Sequence, residues 1–177
     1  MATWKHVVAD IETNGLLDKG SDLRVHSLVL RDVDTDEVMS CTDAGDPAVY
    51  HSIETGLTVM RTADRLYFHN GIRFDAPALR ICYPDCNIDF EAKMRDTLTI
   101  VQMRWAHIRK QDQAQAAAGK FPSHLTGRHS LEAWGHRLGI LKGTTCFLAD
   151  LLRAIPGRVS YGNTVGAGEL LAAVTEL

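Results

Sequence analysis

The sequence predicts an α/β domain in which a mixed sheet begins as an antiparallel meander and continues as strands alternating with helices. Three observations carry this prediction. Short apolar runs rich in β-branched residues open the chain, and a polar turn joins two of them. Apolar residues then recur at helical spacing behind residues suited to capping. The chain has 177 residues, enough for one domain with a sizeable core, and its 45% hydrophobic and 23% charged content is ordinary for a globular protein.

His6 to Ile11 is apolar nearly throughout and reads as a central first strand. Val25 to Leu30 and Glu37 to Cys41 read as the second and third, joined as a hairpin through Asp32-Val33-Asp34-Thr35-Asp36. A helix is expected after Asp46-Pro47, with Asp46 as its cap, Pro47 at its first position, and Val49, Ile53, Leu57 and Met60 at helical spacing. Arg65 to Phe68 is the fourth strand. Asp75 to Ile81 is a short helix that tolerates Pro77 in its first turn. Met94-Arg95-Asp96-Thr97 reads as a short fifth strand, followed by a helix from about Leu98 to Arg109. The biased run Gln111 to Lys120 either extends that helix or forms a loop over the site, and partial mobility is the favoured reading. Ser130 to Leu138 is a helix capped by Ser130, with Leu131, Trp134 and Leu138 on one face and Gly139 as its stop. The tail carries an apolar stretch from Phe147 to Ile155, the breaker Pro156-Gly157, and an expected helix from Gly168 to Leu177.

Composition narrows the function classes. No apolar run approaches the length of a membrane span, and the first six residues lack a signal-peptide apolar stretch. A cytoplasmic protein with no membrane partner is expected; if it is encoded by a phage, the compartment is the bacterial host cytoplasm. Cys41, Cys82, Cys86 and Cys146 are expected as free thiols, because Cys82 and Cys86 have no second ligand pair at a spacing that suits zinc. The net charge of −3 argues against a basic nucleic-acid coat. The charge is uneven, however: between Arg104 and Lys142 there are seven Lys or Arg against two acids, with four of the eight histidines. Such a stretch can face phosphate; the alternative is a solvated helical surface.

The chemical signal lies in two short motifs. Val7-Val8-Ala9-Asp10-Ile11-Glu12-Thr13-Asn14-Gly15-Leu16 is a strand ending in Asp-x-Glu. Leu66-Tyr67-Phe68-His69-Asn70-Gly71-Ile72-Arg73-Phe74-Asp75 is a strand, a turn, and a carboxylate at a helix start. Taken singly, Asp-x-Glu is a strand-end turn and Asn-Gly is a turn signal. Together they bring three carboxylates to apolar strands, where charge is costly unless paired. Two bare charges about 4 Å apart repel by roughly 4 kcal/mol at an effective dielectric near 20. Divalent cations are the usual remedy where several carboxylates converge.

These residues resemble the exonuclease motifs of family A DNA polymerases. Asp10-Ile11-Glu12-Thr13-Asn14-Gly15-Leu16 is similar to the first motif and Phe68-His69-Asn70-Gly71-Ile72-Arg73-Phe74-Asp75 to the second. Asp96-Thr97-Leu98 and the run His129-Ser130-Leu131-Glu132-Ala133-Trp134-Gly135-His136-Arg137-Leu138-Gly139 resemble later landmarks, most of all in polymerases of short-tailed lytic phages. The resemblance spans about Val7 to Gly143. It implies a ribonuclease-H-like fold, a mixed five-stranded sheet flanked by helices, in one 3′–5′ exonuclease domain over residues 1–177. The part from about 144 to 177 is atypical or truncated.

The resemblance also implies roles. Asp10 bridges two metal ions, Mg²⁺ or Mn²⁺; Glu12 completes the tighter shell and orients the attacking water; Asp75 holds the second ion. Asn70 and Phe74 shape the site around the terminal nucleotide, Leu16 wedges against the last base, and Asp96 supports the site from behind. His69, Phe74, Arg128 and His129 are the candidates to grip a single strand. The family's last element, Tyr-x-x-x-Asp, is matched by Tyr161-Gly162-Asn163-Thr164-Val165, with Val165 where the family has Asp. Glu169, one turn further, is the candidate substitute ligand. Asp150, an altered reading frame, or a residue from a partner chain are the alternatives.

The leading expectation is therefore a metal-dependent 3′–5′ exonuclease acting on single-stranded DNA or DNA 3′ ends. It is either freestanding or one piece of a split polymerase with a separate polymerase subunit, as a proofreading domain is. Val165 leaves a second reading open, a catalytically impaired relative that binds nucleic acid or protein. An RNA-trimming enzyme of the same fold is the third.

Overall fold

The computed structural model describes residues 4–140. The chain divides into two compact units, Met1–Asp96 and Thr97–Leu177.

The first unit is built on a five-stranded sheet: β1 (His6–Thr13), β2 (Val25–Asp32), β3 (Val38–Cys41), β4 (Arg65–Phe68) and β5 (Met94–Asp96), in the order β3-β2-β1-β4-β5. β1 to β3 are antiparallel; β4 and β5 join in parallel on the other edge of β1. The mixed sheet expected from the sequence is therefore present. The β2–β3 hairpin turns as its acids predict. The Asp32 carboxylate accepts from the Thr35 amide at 3.1 Å and the Thr35 hydroxyl at 2.6 Å, and Asp36 takes a left-handed φ of 72° that Asp tolerates.

Side-chain alternation decides what each face does. Val7, Ala9 and Ile11 of β1, Leu28 and Leu30 of β2, and Leu66 and Phe68 of β4 form one apolar core with α1 (Ile53–Thr62), α2 (Asp75–Cys82) and α3 (Phe90–Lys93). Asp10 and Glu12 stand out of phase with that core and are exposed. Cys41, Cys82 and Cys86 are free thiols, and burial pushes Cys41 up to about 11, which suits packing rather than reactivity.

The first helix corrects the sequence reading. It begins at Ile53 with Ser52 as N-cap, not after Asp46. His51 is the reason: its carbonyl accepts from the Thr42 amide at 2.8 Å and its own amide donates to Ser40 at 3.1 Å. His51 is thereby bridged to the end of β3, and the chain can enter a helix only after it. Asp46 caps a separate tight turn, its carboxylate accepting from the Ala48 amide at 2.9 Å. Gly56 then lets α1 approach the sheet, because a Cβ there would lie 2.7 Å from Leu28 and 2.8 Å from the Cys41 sulfur.

The second unit contains α4 (Thr97–Arg104), α5 (Ile108–Ala117) and α6 (Leu131–Leu138). The expected helix from Leu98 to Arg109 is broken around Trp105 to His107, and the biased run that follows is helical through Ala117 rather than a loop. α6 matches its prediction: the Ser130 hydroxyl accepts from the Ala133 amide at 3.3 Å, and Gly139 ends the helix at φ 71°. Among the described residues no helix is long and apolar enough to cross a membrane.

Removing the Ser52 cap should cost about 1 kcal/mol. Ser52→Ala is expected to lower the urea midpoint of unfolding accordingly, while Asp46→Ala, which touches no helix end, should shift it by less than half as much.

Candidate functional site

Strand order sets the location of the acids. From β1 the chain moves to β2 and β3 on one side, then returns through α1 to β4 on the other. The carboxyl ends of the parallel neighbours β1 and β4 therefore flank a reversal of strand order, where ligands bind in open α/β sheets. Asp10 and Glu12 lie near the end of β1, Asp75 opens the helix after β4, and Asp96 is the last residue of β5.

The turn between β4 and α2 is tightly specified. Asn70 takes φ 75°, and a Cβ on Gly71 would sit 2.4 Å from the Phe68 Cβ, so the chain passes too closely for a side chain. Asp96, 5% exposed, accepts from the Asn70 amide at 3.2 Å through one oxygen and from the Ile72 amide at 2.9 Å through the other. The Asn70 carbonyl then accepts from the Arg73 and Phe74 amides at 3.2 and 3.1 Å, and α2 starts directly behind them. Asp96 thus acts on the backbone that delivers Asp75.

Asp75 is 6% exposed. β1 pairs with β4 only from His6 to Val8, so its later residues on that edge are left to other partners. The Asp75 carboxylate takes the Ile11 amide as well as its own. A carboxylate in the first turn of a helix is also favoured by the helix dipole. Burial nevertheless dominates: desolvation, then the charge of Asp10, with a smaller push from Asp96, raises Asp75 from 3.8 to about 7. Burial beside a second carboxylate thus outweighs what the two amides contribute to the ionised form.

The donors here are carboxylate oxygens, the kind that Mg²⁺ and Mn²⁺ prefer. Asp10 and Asp75 are close enough to perturb one another, and Glu12 shares the strand face of Asp10. No three His, Cys, Asp or Glu side chains among the described residues converge closely enough to cage a metal ion. A two-carboxylate arrangement still fits the cation, since Mg²⁺ is commonly held by one or two carboxylates with water and substrate phosphate filling the remaining positions.

The loop after Glu12 presents Leu16, which is 68% exposed. It is braced through Asn14, whose side-chain amide donates to the Asp22 carbonyl at 2.9 Å while its oxygen accepts from the Arg24 amide at 2.8 Å. The Lys19 ammonium donates to the Asn14 carbonyl at 2.7 Å, and the Thr13 hydroxyl to Gly15 at 2.7 Å. His69, Asn70 and Phe74 are half-buried around the β4–α2 turn.

Arg128 and His129 belong to the second unit. Arg128 is exposed. His129 is half-buried, and burial followed by the charge of Arg137 holds its imidazole below the ordinary range, so the ring is neutral at pH 7. Tyr161, Val165, Glu169 and Asp150 lie outside the described residues.

One ionic element escaped the sequence reading. Asp112 and Arg137 form a buried two-point pair, Nε to Oδ1 at 3.1 Å and Nη2 to Oδ2 at 2.7 Å. The available signal was Asp112 itself, one of two acids among seven bases between 104 and 142.

No family model matches the chain. Over 141 residues, 77% of this chain, it is 32% identical to the DNA-directed DNA polymerase of Escherichia phage T7, and 31% identical to that of Enterobacteria phage T3. The chain spans 19% of the length of each. A solved structure described as the apo form of the nuclease aligns with 97% of this chain and 69% of its own at a TM-score of 0.46 and 14% identity. The chain is thus homologous to part of the phage DNA polymerases, in line with the resemblance read from its motifs.

A carboxyl raised from 3.8 to about 7 makes stability depend on pH in a definite direction. Below pH 4 both folded and unfolded chains hold the proton and nothing is lost. As pH rises towards 7 the unfolded chain ionises first, so stability falls by up to roughly 4 kcal/mol and then levels. Urea unfolding of the chelator-treated protein should show this decline, and Asp75→Asn should flatten it.

Proposed function

We propose that this chain, homologous to part of two phage DNA polymerases, is a metal-dependent 3′–5′ exonuclease that hydrolyses the terminal phosphodiester of a DNA strand. It acts freestanding or as one piece of a split polymerase. The observation that carries the reading is Asp75: a buried carboxyl raised to about 7 beside Asp10, at the carboxyl ends of parallel strands. A carboxyl perturbed by desolvation together with a specific charged neighbour is a functional-site candidate.

Bound Mg²⁺ or Mn²⁺ ions would supply a hydroxide nucleophile at neutral pH and stabilise the leaving oxygen. The chain's own residues divide the remaining work. Asp10 and Asp75 offer the carboxylate oxygens, and their mutual repulsion makes them receptive to positive charge. Glu12, two residues from Asp10 on the same strand face, orients the attacking water. Asp96 fixes the turn that sets the height of Asp75. Phe74 and His69 offer ring surfaces against the terminal nucleotide, Asn70 lines the turn beside it, and exposed Leu16 abuts the last base. Tyr161 and Glu169 complete the assignment, as a water-positioning hydroxyl and a further carboxylate ligand.

A second reading, a relative that binds DNA without cutting it, is favoured by one feature: Val165 in the position of the family's last carboxylate. The two separate cleanly. With a 5′-labelled single strand and Mg²⁺, the exonuclease reading expects a ladder shortened one nucleotide at a time from the 3′ end. Asp10→Ala should slow it on the order of a thousandfold, the scale of losing one principal electrostatic group. Undiminished activity in Asp10→Ala removes the site assignment. Retained binding without shortening, with cleavage appearing in Val165→Asp, selects the second reading. An RNA strand of the same sequence, run alongside, reads out sugar preference.

A further inference from the structure

The buried pair Asp112–Arg137 joins Arg137, in the last of the motif-like runs, to an acid that lies outside all of them. Asp112 is 1% exposed and Arg137 5%. The guanidinium lies 4.7 Å from the Trp134 ring centre and 5.4 Å from that of Phe121. Two bonds leave the pair, and they go to consecutive residues of one loop. The Gly127 amide donates to the Asp112 carboxylate at 2.8 Å, and Arg137 Nη2 donates to the Arg128 carbonyl at 2.7 Å.

A buried ion pair is a weak source of stability, because desolvation offsets most of its attraction. Its distinctive effect is geometric, and the geometry here is that of residues 127 to 130. Gly127 is fixed at φ 73°, where a Cβ would lie 3.0 Å from the Arg109 side chain. Arg128 is fixed by its carbonyl, and Ser130 by its cap to the Ala133 amide. Between these anchors stand exposed Arg128 and the half-buried ring of His129. The pair also removes one of the two acids from a basic stretch: setting Asp112 and Arg137 aside leaves six bases against one acid, Glu132, between 104 and 142.

We propose that Asp112 and Arg137 are positioning residues for a phosphate-contacting loop: they hold the backbone of 127 and 128 so that the Arg128 guanidinium meets a nucleic-acid phosphate from a fixed base. This rests on the nucleic-acid reading above. A cation on a fixed backbone loses less freedom on contact than one on a slack loop.

The test measures affinity of the full chain for a fluorescein-labelled ten-nucleotide oligo-dT by anisotropy in EDTA, so that cleavage plays no part. The central variant is Asp112→Leu with Arg137→Met. Apolar replacement of a buried ion pair commonly preserves folding, and here it withdraws both loop anchors. Asp112→Asn, which keeps volume and one acceptor, is the milder arm should the paired variant fail to fold. Arg128→Ala is expected to weaken binding about tenfold and to reduce the salt slope by about 0.7, the value for one phosphate on a single strand. The paired variant should lose affinity similarly, and adding Arg128→Ala to it should cost less than a further twofold. In turnover, KM should rise with kcat kept within about threefold. A folded paired variant that binds as tightly as wild type, or full additivity with Arg128→Ala, overturns the proposal while leaving the nuclease reading intact. A wild-type chain that binds no strand in EDTA overturns the proposal, and the Mg²⁺-dependent ladder assay then decides the nuclease reading separately.

Discussion

The rim of acids depends on the clamp that Asp96 puts on the turn between β4 and α2. One carboxylate takes two amides, those of Asn70 and Ile72, in a turn that has no room for a side chain at Gly71. Everything downstream inherits that geometry: the Asn70 carbonyl that collects the Arg73 and Phe74 amides, the start of α2, and the depth at which Asp75 enters. A charged acceptor is well suited to the task, since hydrogen bonds to an ionised group are roughly twice as strong as neutral ones. The same charge contributes to the crowding felt by Asp75, so the residue that builds the site also makes it more electronegative.

Asp75 itself illustrates how opposing terms settle. Its own amide, the Ile11 amide and the helix start all favour the ionised form, yet burial and Asp10 prevail. β1 pairs with β4 only as far as Val8, so the Ile11 amide lies beyond that ladder and favours the ionised carboxylate instead.

Much of this was legible in the sequence where the physics is local. A nearly continuous apolar run gave β1, the polar turn at 32–36 gave the β2–β3 hairpin, and the Ser130 cap and Gly139 stop gave α6 to within a residue. The nearness of Asp10 to Asp75 was legible because two motifs combine a strand end with a carboxylate, whereas the expected meeting of three carboxylates is not seen among the described residues. What escaped depended on partners far along the chain. The start of α1 was misread because His51 is bound to the edge of β3, an interaction that outcompetes the good capping chemistry of Asp46-Pro47. The Gln/Ala-rich run was read from composition as a helix extension or a loop, with the loop favoured, yet it is helical to Ala117 and buries Asp112. Asp112 and Arg137 are 25 residues apart, and no periodicity links them. The tie between Asp75 and Ile11 was equally hidden, because its donor is backbone and every residue but proline has one.

The braced segment after Glu12 has a consequence for how a ligand would be met. Asn14 closes the segment on Arg24 and Asp22, and Lys19 closes it on Asn14, so the exposed isobutyl group of Leu16 rides on a frame that is already ordered. A flexible segment would have to surrender conformational entropy at each encounter, and its apolar tip would fold back onto the protein between encounters. Here that ordering is complete before anything arrives. An apolar ligand surface reaching Leu16 would therefore be selected by its shape, with little ordering left to be done on the protein side.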